Sequence, residues 1–129
     1  MARLSIALIL VSAFFPPSAQ AQTDIPTVMT VDLSNFRFSP PSIRLSAGVP
    51  IVLRLRNSSG GGHSFSAPEF FKASRLSPAA TNVMHNGTVE VAKHSTVDIS
   101  LAPARGSYRL RCSHMMHSAF GMKGVIQVN

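Results

Sequence analysis

The sequence predicts an all-β domain, either an antiparallel β-sandwich or a barrel. Short stretches in which apolar and polar residues alternate recur along the chain, and turns that contain Gly or Pro separate them. No long segment has the 3.6-residue apolar period of an amphipathic helix, which excludes a helical bundle. The pattern contains no repeat or heptad, so a single domain accounts for it.

The predicted strands can be followed in order. Val28–Phe38 alternates in part, with one irregularity, and ends where Pro40-Pro41 breaks the pattern. Glu69–Leu76 is less strand-like and is predicted to hold one or two helical turns. The remaining strand-like stretches are Ile43–Leu45, Ile51–Arg56, Val89–Val91, Val97–Leu101, Tyr108–Leu110 and Val125–Val128.

The N-terminus resembles an export signal rather than part of the domain. A short basic start is followed by the apolar run Leu4–Phe15 and then by Ala19-Gln20-Ala21, a small-x-small cleavage pattern. A run of about 12 residues falls short of the roughly 20 that a transmembrane helix needs. We therefore expect residues 1–21 to be a cleaved signal peptide. Residues 22–129 would form one periplasmic or secreted domain without a membrane anchor.

The charge balance narrows the possible partners. The chain has 12 Lys and Arg residues against 5 Asp and Glu residues. The cations are scattered and form no run of the kind found in nucleic-acid-binding tails, so no nucleic-acid partner is predicted. The excess positive charge favours a partner with an acidic surface. We expect the domain itself to be a monomer.

A single cysteine, Cys112, excludes an internal disulfide. An unpaired thiol in an oxidising compartment is either buried and inert or protected by a metal. Cys112 begins a loop, between two predicted strands, that also contains His117 and Met122. His63 directly follows residues 57–62, a Gly-rich stretch that is predicted to be a flexible loop. One thiolate, two imidazoles and a weak thioether are the ligands of electron-transfer copper sites.

These motifs are similar to those of the cupredoxins, the small blue copper proteins. The resemblance rests on His63 after its loop, on Tyr108-x-Leu110-x-Cys112, and on Cys-x4-His-x4-Met through Met122. It implies a Greek-key sandwich and electron carriage by one copper ion that cycles between Cu(I) and Cu(II). It also implies four ligands, with His117 nearest the surface, namely His63, Cys112, His117 and Met122. One departure is Ser64, where several family members carry an Asn that ties the ligand loops together.

Two alternatives concern the residues around these ligands. His114 competes with His117, although its position two residues from Cys112 is tight for both to reach one ion. Together with Met115 and Met116, His114 could instead hold a second, weaker copper. The same side chains leave open a copper chaperone or carrier that delivers the ion to a copper-handling protein.

Two further functional classes are less favoured by the sequence. A cupredoxin-like module without a metal is a weaker possibility. Enzymatic activity is not expected, because no acid–base pair, nucleotide loop or paired zinc motif is present.

Overall fold

A computed structural model describes residues 14, 15, 17, 19, 25–114, 116 and 119–129 of the chain. The predicted cleavage site at Ala21 lies outside these residues. None of the helices among the described residues has the length and apolar character of a membrane-spanning segment.

The described residues form ten strands and two short helices. The first strands are β1 (Thr27–Ser34), β2 (Arg37–Ser39), β3 (Ser42–Leu45), β4 (Ile51–Asn57) and β5 (His63–Ser66). They are followed by α1 (Pro68–Ala73), β6 (Arg75–Leu76), α2 (Pro78–Asn82), β7 (Thr88–Val91), β8 (Ser95–Ala102), β9 (Gly106–Arg111) and β10 (Lys123–Val128).

The strands build two five-stranded sheets, which confirms the predicted sandwich. The first sheet has the order β2-β1-β4-β8-β6, and the second has the order β3-β10-β9-β5-β7. Most neighbouring strands are antiparallel, whereas β1–β4 and β3–β10 are parallel pairs. Neither parallel pair is joined by a tight hairpin. Between β1 and β4 the chain passes through the other sheet at β3, and β3 and β10 are separated by six strands.

The irregularity predicted within Val28–Phe38 is a tight turn between two antiparallel strands. Ser34 of β1 lies opposite Arg37 of β2, so the turn contains only two residues, Asn35 and Phe36. Phe36 has a positive φ of 60°, a conformation that is uncommon for a bulky side chain. The hairpin leaves its aromatic ring 43% exposed at the end of the sandwich.

The core lies between the sheets and is filled from both of them. Leu33, Leu55 and Ile99 of the first sheet are fully buried, as are Phe65 and Ile126 of the second. Helix α1 adds two buried rings, Phe70 and Phe71, and the ring centroids of Phe65 and Phe71 lie 5.9 Å apart. The inner faces of the two sheets pack against each other in this way and form a rigid frame.

Several strand ends meet at one end of this frame. His63 at the start of β5 lies opposite Val91 at the end of β7, and Arg111 at the end of β9 lies opposite Lys123 at the start of β10. Asn57, the last residue of β4, donates a hydrogen bond to the carbonyl oxygen of Val91. The loops that follow these strands are therefore gathered together, and we call this region the loop end.

The outer face of the first sheet carries two cross-strand ion pairs, Arg54–Asp98 and Arg56–Asp32. Nε and Nη2 of Arg54 each donate to one carboxylate oxygen of Asp98 at 2.8 Å. The hydrogen bond from Arg54 lowers the pKa of Asp98 below its ordinary value. The side chains in this pair are 43% and 44% exposed, so solvent screens most of the attraction.

A small pH dependence of stability follows from the Arg54–Asp98 pair. Because the pKa of Asp98 is lower in the folded state, its stabilising contribution is present above the ordinary carboxyl pKa and is lost as pH falls through the folded value. We expect Asp98→Asn to lower the midpoint of thermal unfolding slightly at pH 7. Melting curves from neutral to acidic pH should converge with those of the wild type. A difference that grows on acidification would contradict this prediction.

Candidate metal centre

The structure places three of the four predicted ligands at the loop end. His63 is the first residue of β5 and is 1% exposed, Cys112 directly follows β9, and Met122 directly precedes β10. Cys112 and Met122 are each 0% exposed. The fourth predicted ligand, His117, lies outside the described residues.

A backbone hydrogen bond holds Cys112 and Met122 together. The N–H of Cys112 donates to the carbonyl oxygen of Met122 at 3.1 Å. This bond extends the β9–β10 ladder by one step beyond the pair Arg111 and Lys123. The ladder therefore fixes the two ends of the loop 112–122 at one place, with both sulfur-bearing side chains buried.

Ser64 connects the strand of His63 to Cys112. The backbone N–H of Ser64 donates to Cys112 Sγ at 3.5 Å, and Ser64 Oγ lies 3.7 Å from the same sulfur. Ser64 Oγ also accepts a hydrogen bond from the backbone N–H of Ser113 at 2.7 Å and lies 2.7 Å from Ser113 Oγ. Ser64 thus ties the two loops through a pair of hydroxyl groups, at the position where several cupredoxins carry an Asn.

A second network orients the imidazole of His63. Its Nε2 lies 2.9 Å from Ser59 Oγ, which itself lies 2.7 Å from Asn57 Oδ1 and 3.1 Å from the carbonyl oxygen of Gly61. The amide and carbonyl oxygens can only accept, so the single hydroxyl proton of Ser59 goes to one of them. Ser59 must then accept from His63 Nε2–H. In the neutral imidazole this tautomer leaves the lone pair on Nδ1, which makes Nδ1 the ring nitrogen that could bind a metal.

Asn57 anchors this second network. It is 1% exposed, and its Nδ2 lies 2.8 Å from the carbonyl oxygen of Gly61, 3.0 Å from that of Val91 and 3.1 Å from that of Ala92. Its Oδ1 accepts from the backbone N–H of Ser59 at 3.0 Å. One amide side chain therefore joins the loop before His63 to the turn after β7. The sequence predicted only a flexible loop here. However, Asn and Ser side chains often hydrogen-bond to the backbone two residues further on and so form a turn, as Asn57 does with Ser59.

His114 points toward β7. Its Nε2 lies 3.0 Å from Glu90 Oε2, and its side chain is 36% exposed. A Cβ added to Gly62 would lie 3.9 Å from His114 Cε1, so the Gly-rich loop passes beside this imidazole. The contact with Glu90 occupies one ring nitrogen of His114, which is the alternative to His117 as a copper ligand.

The described residues contain His, Cys, Asp and Glu side chains at several other places. No three side chains of His, Cys, Asp or Glu among them are arranged to hold a metal ion. A group of this kind could include only two of the predicted ligands, His63 and Cys112. Met122 is not one of these four residue types, and His117 lies outside the described residues. Of the other two candidates for the predicted second site around His114, Met115 lies outside the described residues and Met116 is 59% exposed.

Comparison with known proteins identifies the family. The cupredoxin-like domain model matches residues 4–128. The chain belongs to the cupredoxin-like domain family. No significant match was found among curated protein sequences.

Solved structures share the cupredoxin-like fold. Auracyanin B superposes with a TM-score of 0.60 at 20% identity, over 83% of this chain and 92% of the other. Auracyanin A, a "blue" copper protein from Chloroflexus aurantiacus, has a TM-score of 0.58 at 19% identity, over 81% and 99%. McoA multicopper oxidase from Aquifex aeolicus gives 0.62 at 17% identity, over 86% of this chain but only 31% of the oxidase. At these identities the likeness establishes the fold.

The loop end of this cupredoxin-like domain also carries exposed apolar side chains. Phe120 is 62% exposed and Met116 is 59% exposed. The ring of Phe120 packs on that of Phe36, with centroids 5.2 Å apart. Exposed apolar residues that cluster beside a buried polar site are typical of a surface that binds another molecule.

Proposed function

We propose that this chain binds one copper ion through His63, Cys112, His117 and Met122 and carries single electrons between redox partners outside the cytoplasm. The observation that carries the proposal is the link from Ser64 to Cys112 Sγ, which brings the strand of His63 against the buried thiol. Membership of the cupredoxin-like family supports the choice of metal. Bound copper would supply the one-electron couple.

The donor set fits this metal in chemical type. Cys112 provides a soft sulfur, His63 a nitrogen, and Met122 a weak thioether, all from buried positions at the loop end. The Ser59–Asn57 network selects the ring nitrogen of His63 that can bind. A frame that holds the ligands in place limits rearrangement between oxidation states, which favours electron transfer. His117 completes the proposed set.

The surface and the N-terminus support a role as an exported carrier. Met116, Phe120 and Phe36 form an apolar area at the loop end on which a partner could dock briefly. The proposed signal peptide, residues 1–21, would deliver the domain to the periplasm or the exterior. The carrier would act as a monomer and would not be an enzyme.

The visible spectrum tests the proposal. Purified protein should become intensely blue on addition of one equivalent of Cu(II), through a charge-transfer band from the Cys112 thiolate, and should bleach reversibly on reduction. Protein that binds no copper would refute both metal functions. Copper that binds without this band, or that cannot be cycled, would refute the electron-carrier proposal.

A copper carrier that passes on the ion itself is the second candidate. The exposed thioether of Met116 favours it, because exposed sulfur suits exchange of Cu(I). Colourless, exchangeable Cu(I) binding that is lost in Met116→Leu would support this function. Full retention of blue colour and potential in the same variant would favour electron carriage.

We further expect Ser64→Ala to lower the midpoint potential of the copper-loaded protein. The side-chain hydroxyl near Cys112 Sγ withdraws electron density from the thiolate, and its loss makes the oxidised state easier to reach. A difference of about 1 kcal/mol between oxidation states corresponds to roughly 40 mV for one electron. Cyclic voltammetry measures the change, with Ser58→Ala as the control. An unchanged or raised potential in Ser64→Ala would contradict the assignment.

A further inference from the structure

The outer face of the second sheet carries four exposed cations on three adjacent strands. On β9, Arg109 and Arg111 are exposed while Leu110 between them is 2% exposed, so both arginines point outward. The same alternation places one cation on the outer face of β3 and another on that of β10. We call this set the basic strip, and it consists of Arg44, Arg109, Arg111 and Lys123.

Two members of the basic strip face each other directly. Lys123 is the cross-strand partner of Arg111 in the β9–β10 ladder. Like charges in directly opposite positions destabilise a sheet. Stability therefore does not account for this pairing, whereas attraction of an anionic surface does.

The two sheets differ in how their charges are compensated. On the first sheet, Arg54 pairs with Asp98, and Arg56 pairs with Asp32. In the part of the chain that the structure describes, no salt bridge includes a residue of the basic strip. Glu69 lines a depression together with Arg109 and Arg111, but it forms no salt bridge with either of them. The first sheet carries two further exposed cations, Arg37 and Arg75, but they lie on its two opposite edge strands, β2 and β6. The four cations of the basic strip instead lie on adjacent strands.

The basic strip adjoins the candidate metal centre. Arg111 is the residue before Cys112, and Lys123 is the residue after Met122. A partner bound over these two cations would contact the backbone that leads directly to the two buried sulfur-bearing side chains. The strip therefore lies where docking would shorten the path to the proposed copper.

The dimensions and composition of this face identify the kind of partner. Three strands spaced about 4.8 Å apart spread the four cations over roughly 10 Å, more than one small anion can cover. None of the large exposed apolar side chains of the described residues lies on β3, β9 or β10. Peripheral membrane binding normally inserts such side chains. A flat acidic protein surface fits this face better than a lipid surface does.

We propose that the basic strip docks an acidic face of the protein that exchanges electrons with this domain. The redox identity of that partner rests on the proposed function, but the docking itself does not need copper. Failure of copper binding would leave the strip testable. Failure of the strip would likewise leave the copper site intact.

The test uses the full chain labelled with ¹⁵N, in the Cu(I) form and without copper. Hexacyanochromate(III), a paramagnetic and redox-inert trianion, serves as one probe, and an octaglutamate peptide serves as the second. At low salt we expect line broadening and shift changes at the amides of β3, β9 and β10. Both should fade as salt is raised, because screening weakens contacts between exposed charges. Broadening spread over the whole surface or confined to other strands would overturn the proposal.

Charge reversal provides matched controls. The double variant Arg111→Glu/Lys123→Glu should weaken octaglutamate binding at least tenfold. The double variant Arg75→Glu/Lys93→Glu makes the same change in net charge at exposed positions outside the strip, on β6 and in the turn after β7, and should weaken binding much less. Equal losses in both variants would mean that only net charge matters and would overturn the proposal.

The single variant Lys123→Glu separates binding from stability. It removes the like-charge pair with Arg111, so its thermal midpoint should equal or exceed that of the wild type while octaglutamate binds more weakly. Unchanged binding in this variant would contradict the inference.

Binding to vesicles of phosphatidylglycerol and phosphatidylcholine is the last experiment. Strip-dependent binding to vesicles without binding to octaglutamate would overturn the choice of a protein partner.

Discussion

Cys112→Ser should abolish the blue colour of the copper-loaded protein. The thiolate is the source of the expected charge-transfer band, and no other cysteine exists in the chain to replace it. A hydroxyl is a much weaker ligand for copper than a thiolate, so affinity should also fall by orders of magnitude. Absorbance between 400 and 800 nm after titration with Cu(II) is the measurement.

The fold should survive the Cys112→Ser substitution. Cys112 is 0% exposed, and a buried hydroxyl without a partner would cost about 1–3 kcal/mol. Here the backbone N–H of Ser64, which donates to the sulfur, can donate to the new oxygen and reduce that cost. Far-ultraviolet circular dichroism and the thermal midpoint of the copper-free protein would verify the fold.

His114→Ala is the matched control for the ligand assignment. His114 lies two residues from Cys112, but its Nε2 contacts Glu90 at 3.0 Å. We expect this variant to keep the blue band, whereas His117→Ala should lose or strongly shift it. A band that persists in Cys112→Ser, or that disappears in His114→Ala but not in His117→Ala, would show the ligand set to be wrong.

The strands that could be predicted are those with one buried face. In β4 the buried Leu53 and Leu55 alternate with Arg54 and Arg56, so the period is visible in the residues themselves. In β5 all four residues, His63–Ser66, are buried and two are serines, which hides the strand from any alternation rule. The β1–β2 turn was not predicted, because neither Asn35 nor Phe36 is a Gly or Pro. The hairpin was therefore interpreted as one irregular strand.

The proposed copper ligands were easier to recognise in the sequence than the residues that surround them. Cys112, His117 and Met122 are close in sequence and chemically distinctive, so their spacing between two predicted strands indicated a candidate site. Asn57 bonds to Val91 and Ala92, which are 34 and 35 residues away. Such contacts depend on how the sheets bring distant turns together, and no local pattern encodes them. The loop 57–62 consequently looked flexible, although its side chains form a connected network.

Asn57→Ala is expected to be the most destabilising substitution in that loop. It would leave the carbonyl oxygens of Gly61, Val91 and Ala92 without the amide donor, and the N–H of Ser59 without its acceptor. A buried polar group that loses its partner costs about 1–3 kcal/mol, and water can reach only part of this site. We expect a loss of about 2–4 kcal/mol in the free energy of unfolding of the copper-free protein.

Urea unfolding, with Ser58→Ala as the control, would measure this loss. Ser58 is the exposed neighbour of Asn57, and its substitution should change stability by less than about 0.5 kcal/mol. A difference between the two variants below about 0.5 kcal/mol would contradict the anchoring role of Asn57.

Asn57→Ala should also weaken copper binding, through His63. Without Asn57 Oδ1, Ser59 loses one of the two acceptors that fix the direction of its hydroxyl proton, and the imidazole is held less firmly in the tautomer with its lone pair on Nδ1. Loss of such supporting contacts typically lowers metal affinity about 10–100-fold. Ser59→Ala removes the contact with His63 while Asn57 keeps its three carbonyl partners. It should reproduce most of the affinity loss with little of the stability loss, which separates orientation of the ligand from anchoring of the loop.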